Sequence, residues 1–372
     1  MTQRERFYKT MHFGNPDRPT HWDFEPWAQT LERWHGEGLP EDVHLNNNIE
    51  FESRFGFDRH EIVPVLNPMF PTIPPFKEEV IEETDRYIIR RRNDGVTTRA
   101  LKEGSVGGAR ASMDQHIQYP VRDRASWNEF KKRLDPKSPA RRLNYWDDYK
   151  RCMRGRDYPI FVAGGSLFGW PRNWMGLETA STMLYDDPGL MHEIMDHITD
   201  FVIEIITPAL AEIGDVDFGM FWEDMCYKTG SMISPRLFRE FMLPRYKRIV
   251  EVFHRCGVDV LMVDSDGHVD ELIPLWLEAG INCVYPLEVA AGEDPVALRK
   301  EYGRDLLLRG GIDKRALALD KQAIDQELYS KVPFLVEQGG WIPSLDHGVP
   351  PDVPYANYLY YLDLLRRLCD RG

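Results

Sequence analysis

Apolar and polar positions change rhythm along this chain. Before about residue 158 the pattern is mixed; after it, short apolar runs that end in Gly or acids alternate with stretches of helical period. The runs are YPIFVAGG, VDFGMFWEDM, VDVLMVDSDG, INCVYPLEV, RDLLLRGGID and GWIPSLDHG. Each precedes a helical stretch, from LMHEIMDHITDFVIEIITPALAEIG to YANYLYYLDLLRRL, and Gly closes most of these. Six strand–helix units in series predict a parallel α/β fold, and near-continuous apolar runs suit strands buried on both faces. One or two further strands in the N-terminal third bring the count toward eight. The expectation is a single distorted (β/α)8 TIM barrel over residues 1–372. A doubly wound open sheet is the alternative, but no Gly-x-Gly-x-x-Gly follows the first strand.

The N-terminal part, 1–157, is less regular. RERFYKTMHFG predicts a short helix ended by Gly14-Asn15-Pro16, and RPTHWDFEPW a strand leaving a proline-rich loop. Residues 79–101 predict a β-hairpin, with Asn93-Asp94-Gly95 as its turn. DRASWNEFKKRL has a helix period. The regular strand–helix repeats then occupy 158–372.

Composition narrows the partners. With 42% hydrophobic and 28% charged residues among 372, the chain can bury a sizeable core. Its net charge of −14 argues against nucleic acid, whose phosphates need a basic face. The five cysteines are odd in number, scattered and free of any C-x-x-C, which predicts reduced thiols in a cytoplasmic protein. No apolar run approaches the roughly 20 residues of a membrane span, and the opening MTQRERFYKTMHFG has no apolar signal segment. A homo-oligomer is compatible with all of this.

The chemistry should lie where the apolar runs end, because barrel enzymes place their sites at the C-terminal ends of the strands. There stand Glu223 and Asp224, Asp264 and Asp266, Glu288, Asp313, and Asp346 with His347. Trp22, Trp27, Trp170, Trp222, Tyr227, Tyr285 and Trp341 accompany them, and His116 is a further pocket candidate. The expected picture is an acidic pocket walled by rings. A carboxylate after a strand is also the ordinary cap of the next helix, a reading that suits Asp313 and Asp346. Asp264 and Asp266 are too many for one cap. Two acids this close repel, so either a bound cation stabilises both as anions or they share a proton, giving an acid beside a base. Oxygen ligands with one imidazole suit Zn, Mn, Fe(II) or Co. D-S-D-G-H is not an EF-hand loop.

SPRLFREFMLPRYKRIV, DSDGHVDELIPLWLEAGINCVYPLEVAAGEDPVALRKEYG, LLLRGGIDKRAL and IPSLDHGVPPDVPYANYLYYLDLL together resemble the uroporphyrinogen decarboxylase superfamily. GGID stands where the decarboxylases carry a GN-L-D-type segment, DHGVPPD where they carry G-H-G-x-x-P-D, and FVAGGSLFGWPRNWMG resembles their F-x-G-A-P-W-T-L segment. The resemblance covers about 158–370 and implies a single distorted TIM barrel. The superfamily holds tetrapyrrole decarboxylases and cobamide-dependent methyltransferases. The decarboxylases carry an arginine-rich R-Q-A-G-R-Y segment that grips substrate carboxylates. This chain has HWDFEPWAQTLERW there, with Asp23 and Glu25 and no arginine pair, and nothing in the sequence stands out as its replacement. The decarboxylases' essential Asp corresponds to Asp58, within a residue. The thiol-alkylating methyltransferases bind Zn through H-x-C-G and a later Cys; those positions read here as Asp264, Asp266 and His347.

The resemblance thus implies methyl transfer from a small substrate, for instance a methoxylated aromatic, to a corrinoid. A metal on Asp264, Asp266 and His347, with Glu223 as a further candidate, would stabilise the leaving oxygen. No D-x-H-x-x-G occurs here, so the corrinoid would come in trans on a partner protein. The alternative is a decarboxylase or related lyase, in which Asp58 or Asp264 stabilises a cation on a nitrogen heterocycle and His347 assists protonation. A non-catalytic binder of a small cofactor or corrinoid partner is the third reading.

Overall fold

The computed structural model of the chain describes residues 1–44, 48–103, 105–106, 109–110 and 114–370. Its centre is a parallel sheet of seven strands in chain order: β1 (Glu61–Ile62), β2 (Ile160–Ala163), β3 (Phe218–Trp222), β4 (Leu261–Asp264), β5 (Cys283–Tyr285), β6 (Leu307–Arg309) and β7 (Trp341–Ile342). β2–β7 are the six apolar runs of the sequence. Sequential order with helices between neighbours is the topology that βαβ units give. The sheet curls, because Phe161 of β2, Phe218 of β3, Met262 of β4, Cys283 of β5, Leu307 of β6 and Ile342 of β7 share one buried cluster. Alternate residues such as Val162, Phe221 and Val263 join the outer core under the helices. This is the two-residue period of a strand buried on both faces.

The arrangement is TIM-barrel-like, with no regular eighth strand among the described residues. Between β7 and β1 runs the chain around 20–24. His21 N–H donates to Asp58 Oδ2 (2.9 Å) before β1, and Asp23 Oδ1 accepts from Leu345 N–H (3.0 Å) after β7. The segment RPTHWDFEPW therefore bridges the two sheet edges as irregular chain. Carboxylates, those of Asp58 and Asp23, take backbone N–H groups that a ladder would use.

The helix Gln3–Met11 plugs one end. Thr2 and Glu5 form its capping box, and Phe7 and Met11 enter the inner cluster. Arg4 bonds Asp217 (2.6 Å), just before β3, and Arg6 bonds Asp58 (2.7 Å), just before β1. Both acids mark the N-terminal end of the sheet, so the opposite, C-terminal end is the mouth. Asp187, Asp294, Asp313 and Asp320 cap the helices that follow them, each accepting a backbone N–H of the first turn.

The expected hairpin is instead part of a four-stranded antiparallel sheet: Glu79–Glu83, Tyr87–Arg91, Thr97–Leu101 and Gln115–Gln118. A second turn was hidden in Thr84-Asp85-Arg86, where Thr84 Oγ1 accepts from the amides of Arg86 (3.2 Å) and Tyr87 (3.1 Å). A Ser/Thr turn of this kind carries no Gly or Pro to announce it. No helix among the described residues is long and apolar enough to cross a membrane.

Candidate active site at the strand ends

The D-S-D-G-H segment is held by both neighbouring strands. The Asp264 carbonyl accepts from the amides of Glu223 (2.8 Å) and Asp224 (3.1 Å), Ser265 N–H donates to the Tyr285 carbonyl (3.0 Å), and Gly267 N–H donates to Glu288 Oε2 (3.1 Å). Gly267 is required here: its φ is +85°, and a Cβ would lie 2.7 Å from the Cys226 carbonyl carbon. Asp224 and Leu287 beside the mouth also adopt positive φ, 44° and 62°. Such conformations in non-glycine residues cluster where a site imposes them.

Asp264 follows Met262 by two residues on β4 and so faces inward. Burial, and next the negative charge of Asp266, push its carboxyl up to about 7. Asp266 Oδ2 lies 3.6 Å from His347 Nε2, and both side chains are partly exposed, 37% and 41%. The facing Asp266 carboxylate raises the His347 pKa. The His347 ring lies parallel to Phe24, 5.7 Å between centroids and 7° between planes. Three of the residues singled out in the sequence, Asp264, Asp266 and His347, thus converge at the mouth.

Glu223 does not belong to that set. It is fully buried and accepts from Ser166 Oγ (3.0 Å) and the amides of Leu167 (2.7 Å), Phe168 (2.8 Å) and Gly169 (3.1 Å), and from the Tyr246 hydroxyl. Both oxygens are occupied in fastening the turn after β2 to β3. Asp58 is also placed elsewhere. It lies at the N-terminal end of β1, bonded to Arg6 (2.7 Å), Arg18 (2.7 Å) and His21 N–H, on the far side of the sheet from Asp264.

The rings divide as well. Trp22 sits in the inner cluster, stacked on Phe7, and Trp170 is buried in the outer core with its indole bonded to the Pro68 carbonyl (2.6 Å). Neither walls an open pocket. Trp222 ends β3 in register with Asp264, Trp27 is exposed at the start of the helix Ala28–Gly36, and Tyr227 is exposed on a short strand, Cys226–Tyr227. His116 lies on the antiparallel sheet, edge-on to Tyr119. Asp346 caps other segments: it accepts from Val289 N–H (3.0 Å) and pairs with Lys314 (3.2 Å).

Two features escaped the sequence. Arg309 points inward from the end of β6, over the rings of Tyr285 (4.7 Å), Trp22 (5.2 Å) and Phe24 (5.4 Å). A lone charge inside LLLRGG, two residues from the inward Leu307, was the available signal. The second is a rim cluster. Glu293 Oε1 lies 3.0 Å from His268 Nδ1, and Asp270 Oδ2 lies 3.6 Å from His268 Nε2. Among the described residues, these three form the group whose potential metal-ligand atoms all lie within 4.8 Å. Asp264, Asp266 and His347 do not meet that distance together. In the rim cluster each ring nitrogen of His268 faces a different carboxylate.

The donor types at the mouth, two carboxylates and an imidazole, are of the kind that hold a divalent cation, although their ligand atoms are not gathered within 4.8 Å. Burial and like charge disfavour ionised Asp264, and a cation would offset both. With its carboxyl pushed up to about 7, Asp264 can also hold a proton near neutral pH.

Known proteins place this site in context. The chain resembles the uroporphyrinogen decarboxylases of Aliivibrio salmonicida, 26% identical over 50% of this chain and 51% of that one, and of Edwardsiella ictaluri, 25% identical over 63% and 67%. It spans about half the length of most of the curated relatives it matches. A methyltransferase from Methanosarcina mazei has the same fold, with a TM-score of 0.62 and 12% identity over 99% of this chain and 98% of that one. The family model described as uroporphyrinogen decarboxylase (URO-D) matches residues 113–368, and the chain belongs to that family.

Proposed function

We propose that this chain is a methyl-transfer enzyme. It takes a methyl group from a small methylated substrate, for instance a methoxylated aromatic, and passes it to a corrinoid carried by a separate protein. The observation that carries the reading is the convergence of inward-facing Asp264 with the Asp266–His347 pair at the strand ends. Demethylating an ether leaves charge on oxygen, and a site that neutralises that charge lowers the barrier. Asp264, with its carboxyl pushed up to about 7, can hold a proton for that oxygen at neutral pH. His347, with Asp266 holding it, can hold a second. A divalent ion on Asp264, Asp266 and His347 would supply Lewis-acid stabilisation of the same atom. The stacked Phe24 and the strand-end Trp222 offer ring faces to an aromatic substrate.

A second reading, decarboxylation, has one observation in its favour: a carboxyl protonated near neutrality, as Asp264 is, can protonate a carbanion. A tetrapyrrole with many carboxylates is a poor substrate for this mouth. Asp264, Asp266 and Glu288 stand there, and Arg172 is engaged by Asp224 (2.7 Å).

The test uses free cob(I)alamin as acceptor and a panel of methoxybenzenes as donors, with methylcobalamin followed by absorbance. Methylation that falls by 10²-fold or more in Asp264→Ala and His347→Ala supports the reading. Release of CO2 from a porphyrinogen, with no methylation from any donor, overturns it.

A further inference from the structure

We propose that Arg309 is the binding residue for a single carboxylate on the substrate, which makes the substrate an anionic, monocarboxylate-bearing molecule rather than a neutral one. The inference rests on the methyl-transfer reading only for the location of the site.

Arg309 is 7% exposed, its Nε is a buried donor without an acceptor, and no hydrogen bond or ion pair engages its guanidinium among the described residues. The other deeply buried arginines are paired or bonded: Arg6 to Asp58 and Asp17, Arg245 to Asp196, Arg299 to three backbone carbonyls. Removing a charge from water without a partner is costly, and ring faces compensate only in part. Register places Arg309 in the inner layer of the site. Asp264 pairs with Tyr285 across β4 and β5, and Val284 pairs with Leu308 across β5 and β6. Acid, phenol and guanidinium therefore form one inward row.

No carboxylate lies in ion-pair contact with it among the described residues: Asp23 is turned to Leu345 N–H (3.0 Å) and the Tyr361 hydroxyl (3.2 Å), and Asp266 to His347 (3.6 Å). A guanidinium binds a planar carboxylate through two parallel bonds, and among the described residues no acceptor takes that role for Arg309. Phosphate fits less well. Its second charge would face Asp264, which stands in the same inward row, and Asp266 beside it.

The experiment is calorimetric titration of 3-methoxybenzoate, benzoate, neutral 3-methoxybenzamide and inorganic phosphate into the metal-free protein, with Arg309→Met and Arg309→Lys beside it. The wild type should bind 3-methoxybenzoate at least tenfold tighter than the amide. Arg309→Met should lose that preference and keep amide affinity within twofold, and Arg309→Lys should retain part of it. Without ligand, Arg309→Met should melt at the wild-type temperature or above, since an unpaired buried charge has been removed. Equal affinity for acid and amide, a preference that survives in Arg309→Met, tighter binding of phosphate, or no binding of either acid at millimolar concentration overturns the proposal. So does a melting temperature or fold lost in Arg309→Met, which would make the residue structural. Corrinoid and turnover do not enter these readouts. Carboxylate selectivity without methyl transfer would therefore sink the proposed reaction and leave this assignment standing.

Discussion

Nε2 of His347 lies 3.6 Å from Oδ2 of Asp266, joining the chain after β7 to the chain after β4 across the mouth. The acid raises the imidazole pKa. In Asp266→Asn the His347 titration, followed by NMR of the ring protons, should move down. The sign for stability follows. A raised histidine contributes fully below its unfolded value of 6.5 and loses that contribution as pH rises through its folded pKa. Asp266→Asn should therefore lose stability at pH 5 and very little at pH 9. An unmoved His347 titration would show that the pair does not interact in solution.

Asp264 gives the opposite slope to an ordinary ion-paired acid. Its folded pKa is about 7 against 3.8 for the free group, so the folded chain keeps a proton that the unfolded chain has lost. The contribution is present below 3.8 and fades as pH rises toward 7. Thermal melts in chelator at pH 5 and pH 8 should show Asp264→Asn gaining on the wild type at the higher pH. A variant that loses ground there would mean that Asp264 is a stabilised anion.

Metal content by mass spectrometry, on protein loaded with Zn or Mn and desalted, separates the two candidate groups. Near-stoichiometric metal should be lost in Asp264→Ala and in His347→Ala and kept in His268→Ala. Loss confined to His268→Ala would move the ion to the rim cluster.

Asp58 is expected to act on stability alone. Arg6→Ala or Asp58→Ala breaks a buried ion pair and should cost about 3–5 kcal/mol by denaturant unfolding. At temperatures where the variants remain folded, ligand affinity at the mouth should be unchanged. Affinity or turnover lost at full stability would return Asp58 to the site.

Glu223→Ala should cost about 2–3 kcal/mol, because three amides and two hydroxyls lose a buried acceptor. Tyr246→Phe, which removes one of those donors, should cost about 1 kcal/mol. Metal content should be unaffected in Tyr246→Phe.

Local rules carried much of the fold. The backbone repeats every two residues in a strand, so VDVLMVDSDG already implied that Met262 and Asp264 face one way and Val263 the other. The Gly after Asp266 followed from a conformation that other residues resist, and Asp313 from the demand of a helix for a cap. These are contacts within a few residues, and the sequence by itself determined them, along with the acids at the strand ends. What the tertiary structure alone decided was partnership. Asp58 and Asp264 both follow aromatic or apolar residues, yet one is clamped by arginines at the closed end and the other faces the mouth. Glu223 reads as a free acid until the turn after β2 brings three amides to it. Arg309 reads as a surface charge until curling of the sheet sets it over three rings with no carboxylate in ion-pair contact. In each case the deciding neighbours lie tens to hundreds of residues away in the chain. Their approach depends on how the whole sheet closes, and no local period encodes that.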